Sequence, residues 1–294
     1  MIEIDQSILK EVYKERDKDV HKYDHGLMLV IGGSQFYSGS PALAAQAGFR
    51  AGVDMVQILA PERPADIIAS FSPNLAAQPL TGDYLDEEDF DTLIEATESA
   101  RAVAPDNVSV VIGGGLGRSD VTQKTVLRYL KEISIPTVID ADAIRALGET
   151  PEALDQPAII TPHAREFMEL TDKQINGSDK EVVKDTSLEL EDIILLKGEK
   201  DIISDGSEIA VNETGSPYMT TGGTGDVLAG ICGSLLAQGV KPFRAAQAAA
   251  FINGRAGEIV AEDKGPGLLA TDLIEVITLG GSPQGTPFSP LELY

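Results

Sequence analysis

Short apolar runs recur along the chain, each is followed by a turn signal, and helical patterns separate the runs from one another. The runs cover residues 27–31, 55–59, 108–112, 136–139, 158–160 and 193–196. Runs of this length, bounded by glycine, proline or charged residues, are typical of strands buried on both faces. Strands that alternate with helices predict a parallel sheet with helices on both faces, and such a sheet binds its ligand beyond the carboxyl ends of its strands.

The pattern changes in the second half of the chain. An Asp-Gly pair at residues 205–206, which is typical of a hairpin turn, lies between the segments 201–204 and 208–211. These two segments are expected to extend the sheet with antiparallel strands. Helical patterns follow over residues 223–238, 242–262 and 268–279. We expect a single domain over residues 1–294, with a charged N-terminal arm at 1–22 and a tail rich in proline and glycine at 280–294.

The strongest functional signal is a glycine-rich loop that ends in an aspartate. Residues 221–226 read Thr-Gly-Gly-Thr-Gly-Asp, and apolar residues recur at helical spacing directly afterwards. Asp226 is therefore expected in the first turn of a helix, where free N–H groups and the helix dipole can hold a phosphate. We expect the N–H groups of Gly223, Thr224 and Gly225 to form an anion hole and Asp226 to act as a base. The alternative is that Asp226 only caps the helix, although capping does not call for three glycines.

Composition excludes several classes of protein. A formal net charge of −24 would repel a nucleic-acid backbone over most of the surface. No apolar run of about 18 residues and no charged-then-apolar leader occurs, so we expect no membrane span and a cytoplasmic location. Cys232 is the only cysteine, which excludes an internal disulfide, and it is expected in the core.

Two common phosphate-binding motifs are missing. The glycines at 113, 115 and 117 do not complete a dinucleotide-binding G-x-G-x-x-G, because Arg118 stands at the required position. No G-x-x-x-x-G-K-[ST] occurs, which excludes a P-loop protein.

Taken together, the ordered motifs resemble one family. The motifs that carry the resemblance are residues 140–143, 161–163 with Glu166, 197–198, 212–215 and 221–226. The chain is similar over about residues 23–277 to the ADP- or ATP-dependent NAD(P)H-hydrate dehydratases of the ribokinase-like superfamily, which restore the hydrated cofactors NADHX and NADPHX to NADH and NADPH. The resemblance implies an α/β fold, a three-layer αβα sandwich with a mostly parallel central sheet and an antiparallel hairpin extension.

The resemblance also implies site residues. The nucleotide would be held by Lys197, Gly198, Glu199, Lys200, Asp201, Asn212 and Gly225, and the hydrated cofactor by Ala42, Gly115, His163 and Asp226. Asp140 and Glu166 would organise Mg²⁺ indirectly. Two alternatives stay open: His163 caps a helix after Pro162, and Asp140 and Asp142 cap the short helix that follows them. Lys197 is expected to face solvent.

The implied reaction uses ADP, or possibly ATP, to phosphorylate the ring hydroxyl of the S epimer, after which phosphate is eliminated. Some relatives carry an N-terminal epimerase domain, for which this chain is too short, so a separate epimerase is expected in the same cell. The family is commonly tetrameric, which implies a homo-oligomer. Two other functions remain open, namely a kinase of the same superfamily acting on a hydroxymethylpyrimidine, a thiazole or a sugar, and a noncatalytic nucleotide-binding regulator.

Overall fold

A computed structural model describes residues 1–149, 154, 158–175 and 179–277. The strands are β1 (Ile2–Glu3), β2 (Leu27–Ile31), β3 (Met55–Pro61), β4 (Ala76–Leu80), β5 (Val108–Ile112), β6 (Thr137–Ile139), β7 (Ile159–Ile160), β8 (Ile193–Leu196), β9 (Asp201–Ser204) and β10 (Ile209–Asn212). The α-helices are α1 (Ile8–Val12), α2 (Gly39–Arg50), α3 (Glu62–Phe71), α4 (Phe90–Val103), α5 (Asp120–Glu132), α6 (Asp142–Glu149), α7 (Ala164–Thr171), α8 (Lys180–Leu190), α9 (Thr224–Ala237), α10 (Pro242–Lys264) and α11 (Ala270–Val276). Short 3₁₀ helices cover Glu87–Asp89, Pro217–Thr220 and Gly265–Gly267. The predicted tail at 280–294 and the last two residues of the predicted helix 268–279 lie outside the described residues.

The ten described strands form one sheet in the order β1-β10-β9-β8-β7-β6-β5-β2-β3-β4. Strands β2 to β8 are parallel to their neighbours, whereas β9 is antiparallel to both β8 and β10. Asp205 Oδ1 accepts hydrogen bonds from the N–H groups of Ser207 and Glu208 at 2.9 and 2.8 Å, which close the turn between β9 and β10. The mostly parallel sheet and its hairpin extension are confirmed.

The sheet separates two hydrophobic cores. Met28 and Val30 of β2 belong to the core that contains α2, α9 and α10, and Leu29 and Ile31 belong to the core that contains α4 and α5. Successive side chains of a strand point to opposite faces, so a strand covered on both sides must be apolar throughout. This is why the central strands appear in the sequence as uninterrupted apolar runs.

Helix α9 is the most buried helix of one layer. Its side chains are buried continuously from Val227 to Ala237, and Cys232 lies among them as predicted. The helix passes so close to α2 that a methyl group at Gly230 would lie 2.1 Å from the carbonyl oxygen of Ala44. Packing against β2, β5 and β6 holds the first turn of α9 at the carboxyl edge of the sheet.

Two strands were not predicted. Within the predicted arm at 1–22, β1 pairs in parallel with β10, and α1 packs against α10. Strand β4 forms the opposite edge of the sheet and contains Pro79. It is only partly buried, so it lacks the apolar run that identifies the central strands. Within the described ranges, no helix is both long and apolar enough to cross a membrane.

Candidate active site

Helix α9 begins at a glycine with a left-handed backbone. Gly223 is the N-cap with φ +97°, a conformation that favours glycine, and a methyl group there would lie 2.7 Å from Leu43 Cδ1. Thr224 Oγ1 donates a hydrogen bond to the carbonyl oxygen of Met219 at 2.8 Å, which stabilises the turn. The first N–H groups of an α-helix have no acceptor within the helix. This turn can therefore bind an anion.

Asp226 lies in the first turn of α9, as predicted, and it contacts the start of α2. Ser40 donates a hydrogen bond from Oγ to Asp226 Oδ1. Burial raises the pKa of Asp226 to about 6, and the negative charge of Asp140 also raises it, whereas the Ser40 hydrogen bond and the Lys197 charge lower it. A carboxylate with this pKa can accept a proton near neutral pH.

Glycines after β5 leave space for this pair of side chains. A methyl group at Gly114 would lie 2.6 Å from Ser40 Oγ and 3.0 Å from Asp226 Oδ1. At Gly113, φ is +134° and a methyl group would lie 1.7 Å from the carbonyl oxygen of Asp140. The loop after β5 therefore needs glycine in order to pack between the Ser40–Asp226 pair and the end of β6.

Lys197, directly after β8, lies across the end of β7 from Asp140. Its Nζ lies 2.9 Å from Asp140 Oδ1 and 3.7 Å from Glu166 Oε2, and its side chain is only 21% exposed. Burial favours the neutral amine, yet the two carboxylates raise the pKa of Lys197 above its ordinary value. The expectation that Lys197 faces solvent is wrong, because most of its side chain is buried. A buried charge needs partners of opposite charge, and the two carboxylates supply them.

Lys197 also connects the predicted nucleotide loop to the anion hole. A methyl group at Gly225 would lie 3.5 Å from Lys197 Nζ, so the ammonium group lies beside the first turn of α9. The ammonium and the free N–H groups of this turn offer positive charge to the same space. A phosphoryl group bound there would be contacted from two sides.

The rest of the predicted nucleotide loop divides into buried and exposed residues. Asp201 Oδ1 accepts from the N–H of Gly198 at 3.2 Å, and its Oδ2 accepts from Asn212 Nδ2 at 3.0 Å. Asn212 is fully buried, so its side chain supports the loop from the protein interior. Burial raises the pKa of Asp201 to about 6. Glu199 and Lys200 are exposed at the tip of the loop.

His163 is the N-cap of α7. Its Nδ1 accepts from the N–H of Glu166 at 3.1 Å, and Glu166 Oε2 accepts from the N–H of His163 at 2.9 Å. This reciprocal capping box stabilises the helix start. The His163 ring is still half exposed, so capping leaves it accessible to a ligand. Capping accounts for the local structure of this histidine, and its predicted contact with substrate stays a prediction.

Two other predicted substrate contacts differ in accessibility. Gly115 is half-buried at the mouth of the site, where a methyl group would lie 2.9 Å from Tyr37 Cβ. Ala42 is 2% exposed within α2, so its side chain is covered by protein. In this turn it is Ser40, not Ala42, that reaches Asp226.

Asp140, which is predicted near a metal, and Asp142, which is a candidate helix cap, already have partners. Asp140 Oδ1 accepts a hydrogen bond from Thr161 Oγ1 at 2.7 Å, in addition to its contact with the Lys197 ammonium group. Asp142 accepts from the N–H of Gly117 at 2.9 Å and pairs with the Arg118 side chain at 3.0 Å. In the part of the chain that the structure describes, no cluster of three or more His, Cys, Asp or Glu side chains could hold a metal ion.

Comparison with known proteins shows which family the chain resembles. The model of the NAD(P)H-hydrate dehydratase family matches residues 28–279. The chain belongs to this family. It is 42% identical over 265 residues to the bifunctional NAD(P)H-hydrate repair enzyme of Pyrobaculum aerophilum, a match that covers 88% of this chain and 51% of the relative. The corresponding enzyme of Methanothermobacter thermautotrophicus is 39% identical over 265 residues, which covers 87% of this chain and 50% of the relative. The chain thus spans about half the length of these curated relatives.

Solved structures agree with the family fold. A ribokinase-like superfamily protein from Enterococcus faecalis superposes with a TM-score of 0.82 at 25% identity, covering 94% of this chain and 93% of that one. An ADP/ATP-dependent NAD(P)H-hydrate dehydratase from Bacillus subtilis, co-crystallised with ATP and Mg²⁺, has a TM-score of 0.75 at 24% identity, covering 92% and 93%. The family resemblance and the ribokinase-like fold inferred from the sequence motifs are therefore confirmed.

The sequence reasoning missed the role of Ser40. The Ser-Pro pair at residues 40–41 identified a helix start, but its local signal does not reveal a partner on another helix. The glycine loop before Asp226 could be identified from the sequence alone. The residue that contacts Asp226 lies 186 positions earlier and is found only from the three-dimensional structure.

Proposed function

We propose that this chain catalyses the nucleotide-dependent dehydration of hydrated NADH or NADPH, returning the S epimers of NADHX and NADPHX to NADH and NADPH. The observation that carries the proposal is Asp226, held by Ser40 at the start of α9 and beside the Lys197 ammonium. The named relatives of this chain are NAD(P)H-hydrate repair enzymes, which favours this function over a vitamin or sugar kinase.

In the first step, the Asp226 carboxylate accepts the proton of the ring hydroxyl. The hydroxyl oxygen attacks the terminal phosphoryl group of the nucleotide, so that a new oxygen–phosphorus bond forms and the bond to the leaving nucleotide breaks. Asp226 is suited to this role because its pKa, raised to about 6 by burial, lies near neutral pH. General-base assistance of this kind typically contributes about 10²–10⁴-fold to a rate.

Charge on the transferring group would be stabilised by the start of α9. The N–H groups of Gly223, Thr224 and Gly225 supply donors, and Lys197 supplies a full positive charge beside Gly225. Fixed donors of this type stabilise a transition state without having to reorganise during the reaction.

In the second step, the carbon–oxygen bond of the phosphate ester breaks and its electron pair leaves with phosphate. The neighbouring ring carbon releases a proton to solvent, and its electron pair forms the double bond that restores the conjugated dihydropyridine. Phosphorylation is needed because hydroxide is a poor leaving group and phosphate a good one.

We assign nucleotide binding to the loop from Lys197 to Asp201, with Gly225 beside it and Asn212 supporting it from below. We propose ADP as the preferred nucleotide and ATP as the alternative. The Bacillus subtilis neighbour was crystallised with ATP, which supports a nucleoside polyphosphate as co-substrate.

The described side chains do not fit a directly ligated Mg²⁺ ion, because the ammonium group of Lys197 lies between Asp140 and Glu166. We propose that Mg²⁺ would arrive bound to the nucleotide's diphosphate. Asp140 and Glu166 would then influence the ion without being its direct ligands. No step assigned to this chain's residues depends on it. A separate epimerase that supplies the S epimer, and a tetrameric assembly, stay predictions.

The proposed function is tested by incubating the purified chain with the S epimer of NADHX and either ADP or ATP. We expect dihydronicotinamide absorbance to return in step with release of free phosphate. A kinase would instead accumulate a phosphorylated organic product. A noncatalytic regulator would bind nucleotide without turnover, and either result would contradict the proposal.

A further inference from the structure

Three exposed aromatic rings lie at one side of the active-site mouth. Phe36 is 76% exposed, Tyr37 is 63% exposed and Tyr84 is 39% exposed. Phenylalanine and tyrosine are scarce in this chain, which is only 5% aromatic. Large exposed apolar side chains that cluster beside a functional site mark a binding surface more often than isolated ones do. We call Phe36, Tyr37 and Tyr84 the aromatic platform.

The platform borders the substrate side of the glycine loop. Tyr37 packs against Gly115, and two Tyr84 ring atoms lie 3.7 and 3.9 Å from the position of a methyl group on Gly117. Gly115 is the residue to which the family resemblance assigns a contact with the hydrated cofactor. A ligand that leaves Asp226 along this loop would pass over Gly115 and reach Tyr84 next to Gly117.

The segment that carries Phe36 and Tyr37 is held in place by several hydrogen bonds. Ser34 and Tyr37 exchange two backbone hydrogen bonds, of 3.0 and 2.9 Å, which close a turn with Phe36 near its tip. The N–H of Gln35 donates to the carbonyl oxygen of Asp83 at 2.8 Å, which joins this turn to the segment before Tyr84. A backbone that is held before binding leaves less conformational entropy to be lost when a ligand stacks on the rings it carries.

The platform lies on the opposite side of the site from the nucleotide loop. It follows β2 and β4, whereas Lys197 follows β8, and β2 and β8 are four strand spacings apart in the sheet. At about 4.8 Å per spacing, this is roughly 19 Å. The first turn of α9 lies between the two sides, so the two ligands would approach Asp226 from different directions.

Both signs of charge occur beside the platform, because the exposed Asp83 carboxylate accepts from Gln35 Nε2 at 3.1 Å and an arginine contacts the same turn. Arg63 Nη1 donates to the carbonyl oxygen of Gln35 at 2.6 Å, and the Arg63 side chain is exposed. Arg63 is the group at this turn that can attract a phosphate, and the Asp83 carboxylate offsets part of that attraction. A planar neutral base on the rings and a phosphate near Arg63 match the two ends of a nucleotide.

We propose that the aromatic platform stacks the adenine of the hydrated dinucleotide substrate, an inference that rests on the function proposed above. Adenine fits better than the hydrated ring for two reasons. The hydrated ring carries a tetrahedral carbon and must place its hydroxyl at Asp226, whereas adenine is flat and lies at the far end of the dinucleotide. Stacking on aromatic side chains recognises the flat face of a base.

The test compares NADH with reduced nicotinamide mononucleotide, which lacks the adenosine half. Binding of each is titrated by fluorescence to the wild-type protein and to Tyr84→Ala and Phe36→Ala. We expect each variant to bind NADH about tenfold or more weakly, while its affinity for the mononucleotide stays within about twofold. Tyr84→Phe keeps a ring for stacking and should bind NADH like the wild type. Phe71→Ala, which removes a 53%-exposed ring at the far end of α3, is the matched control.

Several outcomes overturn the proposal. Unchanged NADH affinity in both alanine variants removes the rings from the site, and equal losses for the two ligands place them against the nicotinamide half. Loss of ADP affinity instead would assign the rings to the nucleotide, and a wild-type protein that binds neither ligand has no such site. Because the measurement is binding, a protein that binds NADH through these rings but does not turn over NADHX would contradict only the proposed function.

Discussion

Ser40 Oγ donates a hydrogen bond to Asp226 Oδ1, joining the first turn of α2 to the first turn of α9. Burial raises the pKa of Asp226, and this hydrogen bond opposes that effect because it stabilises the ionised carboxylate. The pKa of the proposed base thus reflects opposing influences, with burial and Asp140 raising it and Ser40 and Lys197 lowering it. The contribution of Ser40 can be removed by a single substitution.

The first prediction concerns Ser40→Ala. Without the hydrogen bond, the pKa of Asp226 should rise above about 6, so the acid limb of the kcat/KM profile should move to higher pH. At pH 8 and above, where the carboxylate is ionised in both proteins, the rates should agree within a few-fold. Ser70→Ala, on the exposed side of α3, is the control. An acid limb that stays in place would show that Ser40 does not influence the base.

The second prediction concerns Asp226→Asn. The amide keeps the shape of the carboxylate but cannot accept the proton, so turnover of NADHX and release of phosphate should both fall by at least about 10²-fold. ADP binding, measured by calorimetry, should be retained. A variant that keeps its rate would show that Asp226 is only a helix cap.

Stability of Asp226→Asn provides an independent measurement. Because the folded pKa of about 6 lies above the ordinary aspartate value of 3.8, the folded protein disfavours the ionised carboxylate. This penalty is absent below pH 3.8, grows between pH 3.8 and about 6, and stays constant above that. Asp226→Asn should therefore be at least as stable as the wild type at pH 8, and any advantage should disappear near pH 4. A large loss of melting temperature at pH 8 would contradict this.

The third prediction concerns the buried pair of Lys197 and Asp140. Lys197→Met leaves the Asp140 carboxylate, whose side chain is 5% exposed, without its cation. Breaking a buried pair typically costs about 3 kcal/mol, so the melting temperature should fall by several degrees. ADP affinity should also fall, because a positive charge beside Gly225 is lost.

Two control variants separate these effects. Lys200→Met removes an exposed lysine of the same loop and should hardly change stability. The double variant Lys197→Met, Asp140→Asn removes both charges, so it should recover much of the stability but not the ADP affinity. If Lys197→Met alone binds ADP like the wild type, the lysine has a purely structural role.

The fourth prediction follows from the excess of 47 acidic over 23 basic residues. Self-repulsion should weaken as ionic strength rises from about 0.01 M to 0.15 M and the Debye length falls from about 30 to 8 Å. The melting temperature should therefore increase over this range, and the increase should be similar in sodium chloride and in potassium chloride. A flat or falling curve would show that the charges are already compensated within the folded protein.

Much of the fold could be predicted because its signals are local. Buried parallel strands appear as continuous apolar runs, and the Asp205-Gly206 turn gives the position of the hairpin. Strands β1 and β4 were missed for a physical reason. They lie at the two edges of the sheet, β1 has only two residues and β4 contains Pro79, so neither carries the apolar run of a central strand.

By itself, the sequence determined the parallel architecture, the glycine turn before α9 and the place of Asp226 in its first turn. These features depend on side-chain periodicity and on backbone preferences within a few residues. Only the tertiary structure decided the partners of the charged and polar groups. Ser40 and Asp226 are 186 residues apart in the chain, and Lys197 and Asp140 are 57 apart. Lys197 and Asp140 meet because the sheet order places the ends of β8 and β6 close together, whereas Ser40 and Asp226 meet because α2 packs against α9. Burial there makes a partner necessary for each charge.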